Sequence, residues 1–283
     1  MGKLRYLIPN GVTSVSIAFG ALSLQAAVVG HYRSAAWWVM FCLLTDKLDG
    51  LVARALHASS PFGAQMDSFA DFLSFGVAPA TLFYAFFRAT PSLGWTEGWH
   101  VYALPVLCLS LMLGNVVRLA RFNVTHDVRG GDRFFFGVPT TLIGGFICAI
   151  FVMLLKYGDP TWSATDPIGA DFYLLGESTR LDAAMPYFPW LMPLLAMTMV
   201  STLRVPKVGR THRPVVDVLQ ALNVIAGFGF GLAHRVPEYL TSGGVIYLGI
   251  SVYYHLTSKQ ARAAELPELF PSPQQDDLRA GLG

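Results

Sequence analysis

Asp46 and Asp49 stand three residues apart, and Asp67 and Asp71 four apart, in two apolar stretches of the chain. Each spacing puts its pair on one face of a helix. A charged side chain at the centre of a membrane-crossing helix costs roughly 2.5–3.5 kcal/mol. Four carboxylates therefore belong near the interface, in a wet cavity, and ionisable groups inside such helices mark function by default. A lone aspartate would read as a cap or a snorkelling charge; four at this spacing do not. The stretches are joined through His57, Ala58, Ser59, Ser60, Pro61 and Phe62, a turn short enough to make the helices antiparallel neighbours with both pairs facing each other. Carboxylates that close cannot all stay ionised without cations between them. Hard oxygen donors suit Mg²⁺, Mn²⁺ or Ca²⁺ rather than zinc. Four of them have room for two ions about 3.5–4 Å apart, the arrangement used for displacement at phosphorus.

Residues around the aspartates extend that chemistry. Arg54, one turn beyond Gly50, can neutralise a phosphate. Gly50 and Gly63 lack side chains and let a substrate or a helix approach closely, although ordinary packing between membrane helices explains each glycine equally well.

These residues need a scaffold, and the composition says which kind. Of 283 residues, 53% are hydrophobic and 13% charged, with a mean hydropathy of +0.48. Soluble domains carry about 25% charged residues, so most of this surface does not face water. A net charge of +2 gives no footprint for nucleic acid. Cys42, Cys108 and Cys148 all lie in apolar runs and read as small buried hydrophobes, not as disulfides or zinc ligands.

Apolar runs near the ~20 residues needed to cross a bilayer recur at 12–30, 34–56, 64–90, 100–120, 137–157, 186–204, 215–234 and 242–257. The expected fold is therefore an all-α, polytopic transmembrane bundle of about eight spans, occupying residues 1–260. The first run is long for a signal-peptide core and sufficient for a span. The segment MGKLRYLIPN before it is expected to lie on the membrane as a short amphipathic piece, Gly158–Met185 to be an exposed loop, and 261–283 to be a cytoplasmic tail without fixed structure. With these spans, fourteen of the twenty Lys and Arg residues fall on one side and five on the other, Lys47 lying within a span. The positive-inside rule then places both termini and the 54–63 connection in the cytoplasm of a multi-pass inner-membrane protein.

From Asp46 to Asp71 the chain reads D-x2-D-G-x2-A-R-x8-G-x3-D-x3-D, eight fixed residues across 26 positions. This resembles the full signature of the CDP-alcohol phosphotransferase family. The resemblance implies a six-helix core covering most of the first six spans. It implies that Asp46, Asp49, Asp67 and Asp71 ligate two divalent cations, Mg²⁺ or Mn²⁺, and that Asp71 also serves as general base. It further implies that Gly50, Arg54, Ser60 and Gly63 line the site for the CDP-linked lipid, CDP-diacylglycerol. Pro9 and Asn10 match a segment that helps hold the cytidine nucleotide in similar proteins. The reaction implied is attack by an alcohol on the phosphorus next to the lipid, with CMP leaving.

The acceptor alcohol is read from three further stretches. Phe72 to Ala80 and Arg118-Leu119-Ala120-Arg121-Phe122-Asn123-Val124 look like the phosphatidylserine synthase branch of that family. Phe136 to Thr141 departs from it, having threonines where a second proline and small residues are usual. L-Serine would present a carboxylate, for which Arg118 and Arg121 are candidates, and Asn123 can bond the acceptor; anchoring at a helix end and helix capping are the competing roles. Choline, inositol or a glycerol phosphate would keep the site and change the acceptor. Choline would call for an aromatic cage, with Phe134, Phe135 and Phe136 at hand. A divalent-cation transporter is the remote alternative, disfavoured because all four carboxylates cluster at one membrane face. A homodimer is compatible with all of these readings.

Overall fold

The computed structural model describes residues 7–58, 60–126, 134–158, 173–176, 179–206, 214–233 and 236–258, with the side chains at 54, 125, 126, 214–217, 219–221, 224 and 228 excepted. The expectations for the first six residues, for Ser59, for most of the 158–185 loop and for the 261–283 tail lie outside the described residues.

Helices dominate, and each predicted span meets one. In chain order they are α1 (Leu7–Val29), α2 (Tyr32–Ala55), α3 (Pro61–Asp71), α4 (Ala78–Ala89), α5 (His100–His126), α6 (Thr140–Gly158), α7 (Leu191–Val200), α8 (Pro214–Leu232) and α9 (Pro237–Thr257). A π-helical segment, Phe72–Val77, fuses α3 and α4 into one rod, Pro61–Ala89, and a 3₁₀ stretch, Asp182–Trp190, leads into α7. Among the described residues, five segments are long and apolar enough to cross a membrane: Leu7–Val29, Pro61–Ala89, His100–Val124, Thr140–Gly158 and Asp182–Val200. Helix α2 is not among them because Asp46, Lys47 and Asp49 fall in every long window along it. The chain is a multi-pass, all-α membrane bundle.

Two expectations are corrected. Leu7 to Asn10 form the first turn of α1 itself instead of part of a separate surface piece. The sixth span was expected to run to residue 204, but α7 stops at Val200, and Arg204–Pro206 form a short strand, β2. That strand pairs antiparallel with β1, Phe134–Phe136, matching Phe135 with Val205. Gly137 follows with φ +75°, and a side chain there would run into the Met199 carbonyl and Arg121, so only glycine admits this turn. Helix α6 accordingly begins at Thr140, just after Pro139.

Packing of α1 on α2 uses small residues. Thr13, Ser16, Gly20, Ser23 and Ala27 form the buried stripe of α1, which lets the backbones approach as membrane helices do without bulky knobs. The Ser23 hydroxyl donates to the Ala35 carbonyl at 2.8 Å. Gly20 also sits against Leu73 and Ser74 of the π segment. At the end of the bundle away from the aspartates, Phe83, Phe86, Phe151 and Phe188 meet edge-to-face or tilted, with centroids 4.8–5.6 Å apart. The same end holds a buried ion pair, Lys156 Nζ to Glu238 Oε1 at 2.8 Å, joined by the Tyr157 hydroxyl on the same oxygen. The aspartates lie at the other end.

Candidate active site

The turn between α2 and α3 delivers the aspartates. His57 takes a left-handed conformation, φ 48°; Ser60 is extended and caps α3 by accepting from the Gly63 amide at 3.0 Å. Pro61 follows at the first helical position, where its missing N–H costs nothing. The helices thus fold back on each other within a few residues of the last aspartate of α2.

Carboxylate oxygens of Asp46, Asp49 and Asp67 lie within 4.8 Å of one another. Asp71 lies one turn beyond Asp67 on α3 and interacts electrostatically with Asp46 and Asp67. The donor set is oxygen only, and its spacing fits a hard divalent cation held by several carboxylates. Asp49 and Asp71 are 7% and 8% exposed, while Asp46 and Asp67 are half-buried, so the cluster opens on the Asp46–Asp67 side. The two deep carboxylates are each held from behind. Thr13 of α1 donates to Asp49 Oδ2 at 2.9 Å, and Thr140 of α6 lies 3.4 Å from Asp71 Oδ2.

At the start of α3, Asn10, Ser60 and Gly63 converge. A methyl group at Gly63 would stand 3.1 Å from Asn10 Oδ1 and 3.2 Å from Ser60 Oγ, so the glycine keeps a polar notch clear. Pro9 is buried one residue before Asn10. Gly50 lies half-buried on α2 directly after Asp49, and Arg54 follows one turn on in the same helix.

Across from α3, helix α5 supplies the remaining candidates. Arg118 is 8% exposed, interacts electrostatically with Asp71 and Asp46, and stacks over the Phe122 ring at 5.0 Å. Arg121 turns away: its guanidinium donates to the carbonyls of Phe136 (2.7 Å), Val200 (2.9 Å) and Met199 (3.0 Å), tying α5 to β1 and the end of α7. Asn123 donates through Nδ2 to Ser68 Oγ at 3.0 Å, joining α5 to α3 next to Asp67. Phe134, Phe135 and Phe136 are the β1 strand itself. The three cysteines are free and buried.

Thr13, Ser68 and Thr140 escaped the sequence reading. Thr13 carried a faint signal as a polar residue opening the small-residue stripe of α1. Thr140 carried a clearer one, being where the sequence departs from the phosphatidylserine synthase pattern.

The CDP-alcohol phosphatidyltransferase family profile matches residues 6–170. The CDP-diacylglycerol–serine O-phosphatidyltransferase of Helicobacter pylori is 31% identical over 202 residues, covering 71% of this chain and 72% of the relative. The protein of that name from Mycobacterium tuberculosis is 29% identical over 184 residues, 64% of this chain; the match spans 60% of the mycobacterial protein's length. An archaetidylserine synthase of Methanothermobacter thermautotrophicus is 30% identical over 209 residues, 71% of this chain and 70% of its own.

Proposed function

The chain belongs to the CDP-alcohol phosphatidyltransferase family, and from that premise we propose that it transfers the phosphatidyl group of CDP-diacylglycerol to L-serine, giving phosphatidylserine and CMP. The observation that carries the reading is the close set of carboxylates Asp46, Asp49 and Asp67 on α2 and α3, with the buried Arg118 acting electrostatically on Asp71. Serine is favoured over other acceptors because the names of the Helicobacter, mycobacterial and archaeal relatives all specify a seryl product.

Asp46, Asp49, Asp67 and Asp71 would hold two divalent cations, Mg²⁺ or Mn²⁺. Such ions neutralise a pyrophosphate and the charge that develops on departing CMP. The notch of Asn10, Ser60 and Gly63, with Pro9 and Gly50, receives the cytidine diphosphate, and Arg54 offsets phosphate charge. Asp71 takes the proton of the serine hydroxyl as the new oxygen–phosphorus bond forms and the bond to CMP breaks. Thr140 orients that carboxylate. Arg118 faces the serine carboxylate from α5, Asn123 steadies the α3 side of the pocket through Ser68, and Arg121 anchors the frame behind them. The protein resides in the cytoplasmic membrane with both termini and the site on the cytoplasmic side.

The test is purified protein with CDP-diacylglycerol and Mn²⁺, offered serine, choline, inositol and glycerol 3-phosphate in parallel. CMP release that requires serine is expected. Release with another acceptor alone would reassign the substrate, and no release with any alcohol would reject the transferase reading.

A further inference from the structure

Asn115, on α5, is wholly buried, and neither its Oδ1 nor its Nδ2 has a hydrogen-bond partner among the described residues. A carboxamide taken out of water without partners is destabilising, and such an orphan calls for an explanation. Its neighbourhood provides one. The π segment after Asp71 is bonded i to i+5, as in the Ala78 amide to the Leu73 carbonyl. Residues five apart therefore stack, and Gly76 lies one wide turn beneath Asp71. Single π-helical turns of this kind recur at functional sites. A methyl group at Gly76 would stand 3.2 Å from Asn115 Cγ, so the carboxamide is pressed onto that lower turn. Arg118 lies one helical turn above Asn115 and reaches the charges of Asp71 and Asp46. Two rungs result: Asp71 with Arg118, and beneath them Gly76 with Asn115.

We propose that Asn115 forms the floor of the acceptor pocket and selects an amino-acid head, a reading that rests on serine as the acceptor. With the hydroxyl directed up at Asp71, the rest of a small zwitterion points down. A primary amide serves both of its charges from one neutral group, Oδ1 accepting from the ammonium and Nδ2 donating to the carboxylate beside Arg118. A carboxylate at this position would bind the ammonium but would add a fifth negative charge to the cluster. A quaternary amine has no N–H to offer Oδ1, so Asn115 selects against choline.

The experiment compares the full-length wild type with N115L and N115A, reading the KM for serine and the KM for CDP-diacylglycerol separately, along with thermal midpoints in detergent. Loss of hydrogen bonds to charged groups predicts a serine KM raised roughly 10- to 100-fold with the CDP-diacylglycerol KM unchanged. A serine KM equal to wild type in either folded variant overturns the proposal, and a higher thermal midpoint with unchanged KM would identify the amide as a structural burden only. Should N115L not fold, N115A decides by the same criterion. Wild type that releases no CMP with serine fails the serine reading itself; the variants are then compared with the acceptor it does use, where an unchanged KM overturns the role of Asn115.

Discussion

The Thr13 hydroxyl of α1 and the Asp49 carboxylate of α2 meet at 2.9 Å, the same hydroxyl lying 3.1 Å from the Pro9 carbonyl. One bond thus couples a candidate metal ligand to the turn that carries Asn10. Partners that orient ligands are typically worth 10- to 100-fold in metal affinity. Thr13→Val, which keeps the shape, should raise the Mn²⁺ concentration for half-maximal CMP release by roughly 10-fold, and Thr13→Ser should restore it. An unchanged metal requirement in Thr13→Val would remove Thr13 from the site.

Metal removal tests the carboxylate cluster as a whole. EDTA should abolish CMP release, and Mg²⁺ or Mn²⁺ should restore it, because oxygen-only donors favour hard cations. Full turnover by a chelated, metal-free preparation would show that the aspartates act otherwise.

The base assignment separates Asp71 from its neighbours. Asp71→Asn keeps the size and one oxygen but no longer accepts a proton, a contribution of roughly 10²- to 10⁴-fold. Metal-dependent binding of CDP-diacylglycerol should survive in that variant while turnover falls by about that factor. Asp46→Ala should instead weaken the binding. Near-normal turnover of Asp71→Asn would transfer the role of base to another group.

Orientation is tested at the tail. A cysteine at position 280, in a background lacking Cys42, Cys108 and Cys148, should resist impermeant thiol reagents applied outside intact cells. Ready labelling would invert the orientation or make the number of crossings odd.

Stability is tested at the opposite end of the bundle. Removing one partner of a buried ion pair leaves the other uncompensated, at a cost of about 3–5 kcal/mol. Lys156→Ala should lower the thermal midpoint in detergent sharply by stranding Glu238, yet leave the KM for CDP-diacylglycerol unchanged in protein that remains folded. A shifted KM would mean that the two ends are coupled.

Much of this protein was legible in one dimension because its strongest constraints are local. Hydrophobic run lengths follow from bilayer thickness, and spacings of three and four residues place Asp46 with Asp49 and Asp67 with Asp71 whatever the rest of the fold does. Ser60 and Pro61 announce the turn between the pairs by capping chemistry that needs no distant partner. What acts on those carboxylates from other helices was marked in the sequence only faintly, at Thr13 and Thr140, and without its target. That Thr13 backs Asp49, that Thr140 backs Asp71, and that Arg121 bonds three carbonyls while Arg118, one turn away, reaches the cluster all depend on how α1, α5 and α6 are rotated about their own axes. That rotation comes from long-range packing of small residues and from Gly137's turn. The two arginines are chemically identical in the sequence, and only the tertiary structure assigns them different work.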